Sequence, residues 1–91
     1  MYATVRRYDD PGLAAQLEQR RDEVLGVVSG LAGFRSYVVI AGESETITVS
    51  VYDDEASADA STKAARSWLS ENMPDVAPPS SVAAGRVLVS A

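Results

Sequence analysis

The sequence has 91 residues, which is enough for one domain, placed at residues 1–91. Its formal net charge is −5, from 8 basic and 13 acidic residues, and the basic residues do not cluster, which argues against nucleic acid or an anionic membrane as a partner. The absence of cysteine and histidine excludes disulfides and thiolate chemistry, and it removes both the usual general base at neutral pH and the commonest metal ligand.

The first third of the chain predicts a strand followed by a helix. Residues 1–8 alternate in character and are rich in β-forming side chains. Asp9 or Asp10 can cap a helix, and Pro11 suits its first turn. Apolar residues then recur at helical spacing as far as Leu31, so we expect one helix over this stretch.

Two strands joined by a tight turn are predicted next. Residues 34–41 and 45–52 both alternate and are rich in valine, isoleucine, threonine and tyrosine. The sequence between them contains Gly42, which supplies the conformational freedom that a turn needs.

A second helix and a last strand complete the pattern. An aspartate in the pair Asp53-Asp54 caps the helix start, and the helix has to end near Asn72 because Pro74 follows. The last strand is predicted at residues 82–91. The order βαββαβ, with right-handed crossovers, predicts an α+β ferredoxin-like fold: a four-stranded antiparallel sheet with both helices on one face.

Alternate strand residues face opposite sides of this sheet. We expect the helices to cover the more apolar set: Ala3, Val5, Ile47, Val49, Val51, Val87 and Val89. The opposite set has Arg6 as its one charge in the first and third strands, and it otherwise carries hydroxyl side chains, which is typical of a packed sheet. A second copy of the chain can supply the missing layer. We therefore predict a homodimer through Tyr2, Thr4, Thr46, Thr48, Ser50 and Tyr52.

The whole chain resembles the dimeric α+β-barrel superfamily, and within it the antibiotic-biosynthesis-monooxygenase-like (ABM) domains. The resemblance is carried by the element order, Gly33-Phe34 at the second strand, the segment "SVYDD" at 50–54, the late tryptophan in "SWLSENM" at 67–73 and the closing valine strand. It implies a homodimer with a pocket between each sheet and its helices. The superfamily includes cofactor-independent oxygenases of aromatic substrates, haem-degrading enzymes, isomerases and proteins without known activity.

Candidate ligand-binding residues follow from that implied pocket. They are two hydroxyls, an anion partner and the end of the second helix: Tyr8, Tyr37, Arg35, Trp68 and Asn72. Each also has a structural interpretation, as a core, interface or helix-end residue. The acidic pairs are interpreted as helix caps rather than metal ligands, and haem chemistry is disfavoured because the family's iron ligand is a histidine.

Three functions stay open at this point. The first is a small homodimeric domain that binds an apolar or aromatic molecule between sheet and helices, without a cofactor. The second is a cofactor-independent monooxygenase of a quinol or polyphenol, which needs the protein only to orient the ring, exclude water and stabilise the anion. The third is an inert dimerisation scaffold. No apolar run approaches the ~18 residues of a membrane span, so we expect no membrane partner and a cytoplasmic location.

Overall fold

The computed structural model describes all residues, 1–91. Its elements, in chain order, are β1 (Tyr2–Tyr8), α1 (Gly12–Gln19), α2 (Arg21–Ser29), β2 (Phe34–Ala41), β3 (Thr46–Tyr52), α3 (Glu55–Asn72) and β4 (Ser81–Arg86). The strands form one antiparallel sheet in the order β2-β3-β1-β4. This is the ferredoxin-like α+β arrangement that the sequence predicted, and the fold class is confirmed.

Two boundaries differ from the prediction. The single first helix is broken at Arg20, whose backbone angles (φ −110°, ψ 29°) leave the helical region and separate α1 from α2. The last strand ends at Arg86 rather than at residue 91. The register pairs Arg86 with Tyr2, and the N–H of Val87 donates to the Met1 carbonyl at 2.9 Å, so pairing with β1 stops there.

The helices cover the opposite face of the sheet from the one that the sequence predicted. Thr4, Thr46, Thr48, Ser50 and Tyr52 are buried, and they lie on the face that the helices cover, here called the helix face. The predicted interface set, which also included Tyr2, is therefore wrong as a surface for a second copy.

Hydrogen bonds explain why a polar row lies under the helices. The Thr46 hydroxyl accepts from the Ala14 N–H at 3.0 Å and donates to the Asp10 carbonyl at 2.8 Å. The Tyr52 hydroxyl donates to the Val28 carbonyl at 2.7 Å. Buried polar groups are tolerated where they find partners. For Thr46 and Tyr52 the backbones of α1, of α2 and of the segment just before α1 provide them.

The opposite side of the sheet, here called the open face, has no layer over it. The strand register places these residues on it: Ala3, Val5, Arg7, Ser36, Val38, Ile40, Ile47, Val49, Val51, Ser81, Ala83 and Gly85. Its centre is apolar, and Val38 and Ile40 are 49% and 45% exposed. None of the three helices is both long enough and apolar enough to span a bilayer.

Candidate functional site

A cavity of about 40 Å³, here called the inner cavity, lies between the helix face and the helices. Ten of its fourteen lining residues are hydrophobic, and leucines and valines of α1 and α2 form much of its wall. Tyr8, Tyr37 and Trp68 also line it, as does the side chain of Arg6. The site thus combines aromatic walls with one cation.

Three strands, β1, β2 and β3, position most of its polar side chains, and Ser61 comes from α3. Arg6 and Tyr8 come from β1 at alternate positions, and Ser50 comes from β3. Arg6 lies directly opposite Thr48 in the register, so Ser50 is its diagonal neighbour on the same face. Diagonal neighbours lie about 7–8 Å apart, which a long side chain spans.

A β-bulge at Arg35 brings Tyr37 into this group. Phe34 pairs with Tyr52, whereas Ser36 already pairs with Val51, so Arg35 is an extra residue in β2. Bulges re-aim the side chains that follow them, and without this one Tyr37 would point to the open face. Arg35 itself does not line the cavity; its exposed side chain forms an ion pair with Asp53.

Trp68 is held from its outer side by the residue that breaks the first helix. The Arg20 guanidinium carbon lies 5.0 Å from the centre of the indole ring, a cation–π distance. Arg20 also donates to the backbone carbonyl and side-chain oxygen of Asn72 at 3.2 and 3.0 Å, and the Asn72 amide donates to the Trp68 carbonyl at 2.9 Å. Asn72 therefore links Arg20 to the backbone of Trp68, and it does not line the cavity.

Arg6 was predicted to lie on the sheet face away from the helices, and it lies instead in the cavity. The residue is 6% exposed, and the one hydrogen bond of its side chain within the protein is donated to the Thr62 hydroxyl. The ion pairs of the structure involve Arg7, Arg20 and Arg35, so the buried guanidinium has no carboxylate partner. The available signal was that Arg6 is the lone charge in a row of hydroxyl side chains.

The other polar groups of the cavity are neutral at physiological pH. Ser50 is buried, and its hydroxyl oxygen has no hydrogen-bond partner. Burial raises the pKa of Tyr8, and burial together with the neighbouring Tyr8 raises the pKa of Tyr37 to about 12, although Arg6 acts in the opposite direction on both. No aspartate or glutamate lines the cavity. The site can therefore stabilise an anion, but it holds no group that is ready to remove a proton at neutral pH.

Two larger surface grooves adjoin the inner cavity. A groove of about 460 Å³ between the first two helices and β2 shares Leu17, Val24 and Tyr37 with it. A second groove, here called the proline-loop groove, has a volume of about 370 Å³ and lies against the loop 74–79; it shares Arg6 with the cavity. Both volumes fall in the range of small-molecule sites, about 300–1,000 Å³. No three of the chain's acidic side chains are grouped as a metal site would require.

No family model matches the sequence, and no curated protein matches it. Solved structures do match its fold. A "putative Antibiotic biosynthesis monooxygenase" from Chloroflexus aurantiacus is 19% identical, with a TM-score of 0.72 over 99% of this chain and 95% of that chain. SnoaB, a cofactor-independent oxygenase from Streptomyces nogalater, is 10% identical, with a TM-score of 0.69 over 98% and 94%. A MhuD variant with two manganese protoporphyrin IX molecules per active site is 16% identical, with a TM-score of 0.74 over 100% and 98%.

Proposed function

The chain has the ABM-like fold that its sequence resembles, and we propose that it binds a flat aromatic molecule in the inner cavity and an adjoining groove. The observation that carries this proposal is the buried, unpaired guanidinium of Arg6 inside an aromatic-walled cavity. A domain that only had to fold would gain nothing from a charge placed there, because burying a charge without a partner is costly.

The size of the cavity limits how such a ligand sits. On the scale where one water needs about 10–15 Å³, a cavity of 40 Å³ holds about three water-sized groups. A fused ring therefore extends into an adjoining groove, while its polar end occupies the cavity. The grooves and the cavity share side chains as walls, so small rotations of these side chains join them into one site.

We also infer that the chain forms a homodimer, through the open face rather than the helix face. The open face presents valine and isoleucine side chains from three adjacent strands, and no segment of the chain covers them. Contiguous exposed apolar surfaces of this kind mark interaction sites. A two-fold interface lets a second copy present the same side chains, which is self-complementary packing for an apolar surface.

Calorimetric titration with naphthols, naphthoates and naphthoquinones tests the binding function. A ligand present at 100 times its dissociation constant should stabilise the folded state by about 2.7 kcal/mol, and it should change the fluorescence of Trp68, the one tryptophan in the chain. Trp68→Ala should weaken binding in addition to lowering stability by roughly 3 kcal/mol.

Phe34→Ala is the matched control for that variant. Phe34 packs edge-on against Tyr52, with ring centroids 5.8 Å apart, and does not line the cavity. The Phe34→Ala variant should be less stable than the wild-type protein and should bind the ligand with unchanged affinity. If Trp68→Ala and Phe34→Ala bind equally well, Trp68 is a core residue only. If no compound binds the wild-type protein, the inert dimerisation scaffold becomes the better explanation.

Cofactor-independent oxygenation of a quinol is the second candidate, favoured by the likeness in fold to SnoaB. Arg6 can stabilise a phenolate, but the raised tyrosine pKa values leave no base in the cavity. Oxygenation here therefore requires a substrate that is already ionised, and the rate of oxygen uptake should rise with pH along the substrate's own titration curve. A bell-shaped profile centred near pH 7 would show that the protein supplies a base.

A further inference from the structure

The cation of the inner cavity determines which ligand charge the site accepts. We propose that the site selects aromatic carboxylates and binds the carboxylate on the guanidinium of Arg6. This inference rests on the proposed binding function, and it adds the chemical class of the ligand.

The hydrogen-bonding capacity of Arg6 is largely unused. A guanidinium has five N–H donors in a planar fork, and the protein supplies only the Thr62 hydroxyl as an acceptor. A carboxylate offers two acceptor oxygens in the matching geometry together with the missing negative charge. The orphan hydroxyl of Ser50, on the same cavity, can donate a further hydrogen bond to it.

The charge of the proline-loop groove supports an anionic ligand. Arg6 and Arg66 both line this groove, and no acidic residue does, although the chain carries 13 acidic residues against 8 basic ones. Apolar walls such as Leu69, Pro78 and Val82 lie beside the two cations. An apolar ring in the groove therefore places its anionic substituent at Arg6, where the groove meets the inner cavity.

The inner cavity favours a carboxylate over a phenol. A carboxyl group ionises near pH 4 and is charged at neutral pH, whereas a phenol, with a pKa of about 10, is not. Burial penalises either anion, and it raises the pKa of the Tyr37 phenol to about 12 in spite of Arg6. A phenol bound here therefore stays protonated at neutral pH, whereas a carboxyl group, with its much lower pKa, can stay ionised. The three heavy atoms of a carboxylate also match a space of about three water-sized groups.

Titration with 2-naphthoate and with neutral 2-naphthamide, which has the same ring and almost the same shape, tests the inference. The naphthoate should bind about 10- to 100-fold more tightly, the range expected for hydrogen bonds to charged groups. Arg6→Met should abolish the preference, whereas Lys63→Met, which removes an exposed cation from the same domain, should preserve it.

The outcomes separate this inference from the binding function. Equal affinities for naphthoate and naphthamide in the wild-type protein overturn the charge selection and leave the binding function standing. Tighter binding of 2-naphthol than of 2-naphthoate at pH 7 assigns the head group to a phenol and also overturns it. Failure of every aromatic compound to bind overturns the binding function itself. If Arg6→Met does not fold, Arg6→Lys keeps the charge without the fork; an unchanged naphthoate affinity in that variant contradicts the proposed bidentate contact.

Discussion

Replacing Val49 by lysine tests the homodimer at the centre of the open face. Val49 lies on β3, a central strand, and it pairs with Val5 of β1 and Val38 of β2 on the same face. Val49 itself is of intermediate exposure, less exposed than Val38 and Ile40, so covering it removes at most about a third of its surface from water. Full burial of a valine is worth about 1.5–3 kcal/mol, which makes the expected contribution about 0.5–1 kcal/mol.

Both protomers carry the substitution, so it changes a two-fold interface at two places. Loss of two valine contacts therefore costs about 1–2 kcal/mol, and two lysines forced together without partners add at least a similar amount. A total near 3 kcal/mol predicts a dimer dissociation constant that is raised by about 10²-fold. Sedimentation velocity across a micromolar concentration series measures this directly.

Two further variants separate association from folding. Ala60→Lys adds the same charge at an exposed position of α3 and should leave the dimer intact. Thr48→Lys places the charge on the helix face, so it should lower the urea midpoint of folding rather than act on association. A wild-type protein of monomer mass at about 100 μM, or a Val49→Lys protein with unchanged affinity, would refute the interface.

Two other predictions follow from the cavity and the composition. Burial raises the pKa of Tyr37 to about 12, so the native state holds this proton more tightly than the unfolded chain does. The stability associated with this difference is on the order of 2–3 kcal/mol. It is fully present below about pH 10 and is lost as the pH rises towards about 12. Urea unfolding on both sides of pH 10 should therefore show a smaller pH dependence in Tyr37→Phe than in wild type, and equal slopes would contradict the assignment. Titration with haemin should give no saturable one-to-one Soret change, since the chain has no histidine or cysteine to bind iron; a tight complex that turns over with a reductant would show otherwise.

Local signals in the sequence were sufficient for the elements and their order. β2 and β3 begin and end within a residue of the predicted bounds. The turn between them closes with a bond from the Gly42 N–H to the Glu45 carbonyl at 2.9 Å. Asp54 caps α3 by accepting from the Ser57 N–H at 2.8 Å. All of these features depend on residues close together in the chain, which is why periodicity and capping rules find them.

The candidate site was predicted less completely, because its geometry depends on residues far apart. The bulge at Arg35, which turns Tyr37 towards the helices, is set by pairing with β3 and has no marker in the sequence. The break at Arg20 coincides with contacts to Trp68 and Asn72, about fifty residues away along the chain. Arg35 was the expected anion partner from its position alone, and its exposed ion pair with Asp53 leaves it outside the cavity.

Which face of the sheet the helices cover also depends on contacts between residues far apart in the chain. This choice of face links the proposed ligand site at Arg6 to the proposed homodimer. Shifting a strand by one residue would exchange its two faces, so β3 can present either its threonines or its valines to the helices. The hydrogen bonds of Thr46 and Tyr52 to helix backbones specify the first arrangement. Because the polar row lies on the helix face, Arg6 is buried in the cavity without a negatively charged partner. Because the apolar row lies on the open face, Val49 and its neighbours have no layer packed over them. The unpaired cation and the uncovered valines are therefore two consequences of the same strand register. An anionic ligand would pair with the cation, and a second copy of the chain would cover the valines.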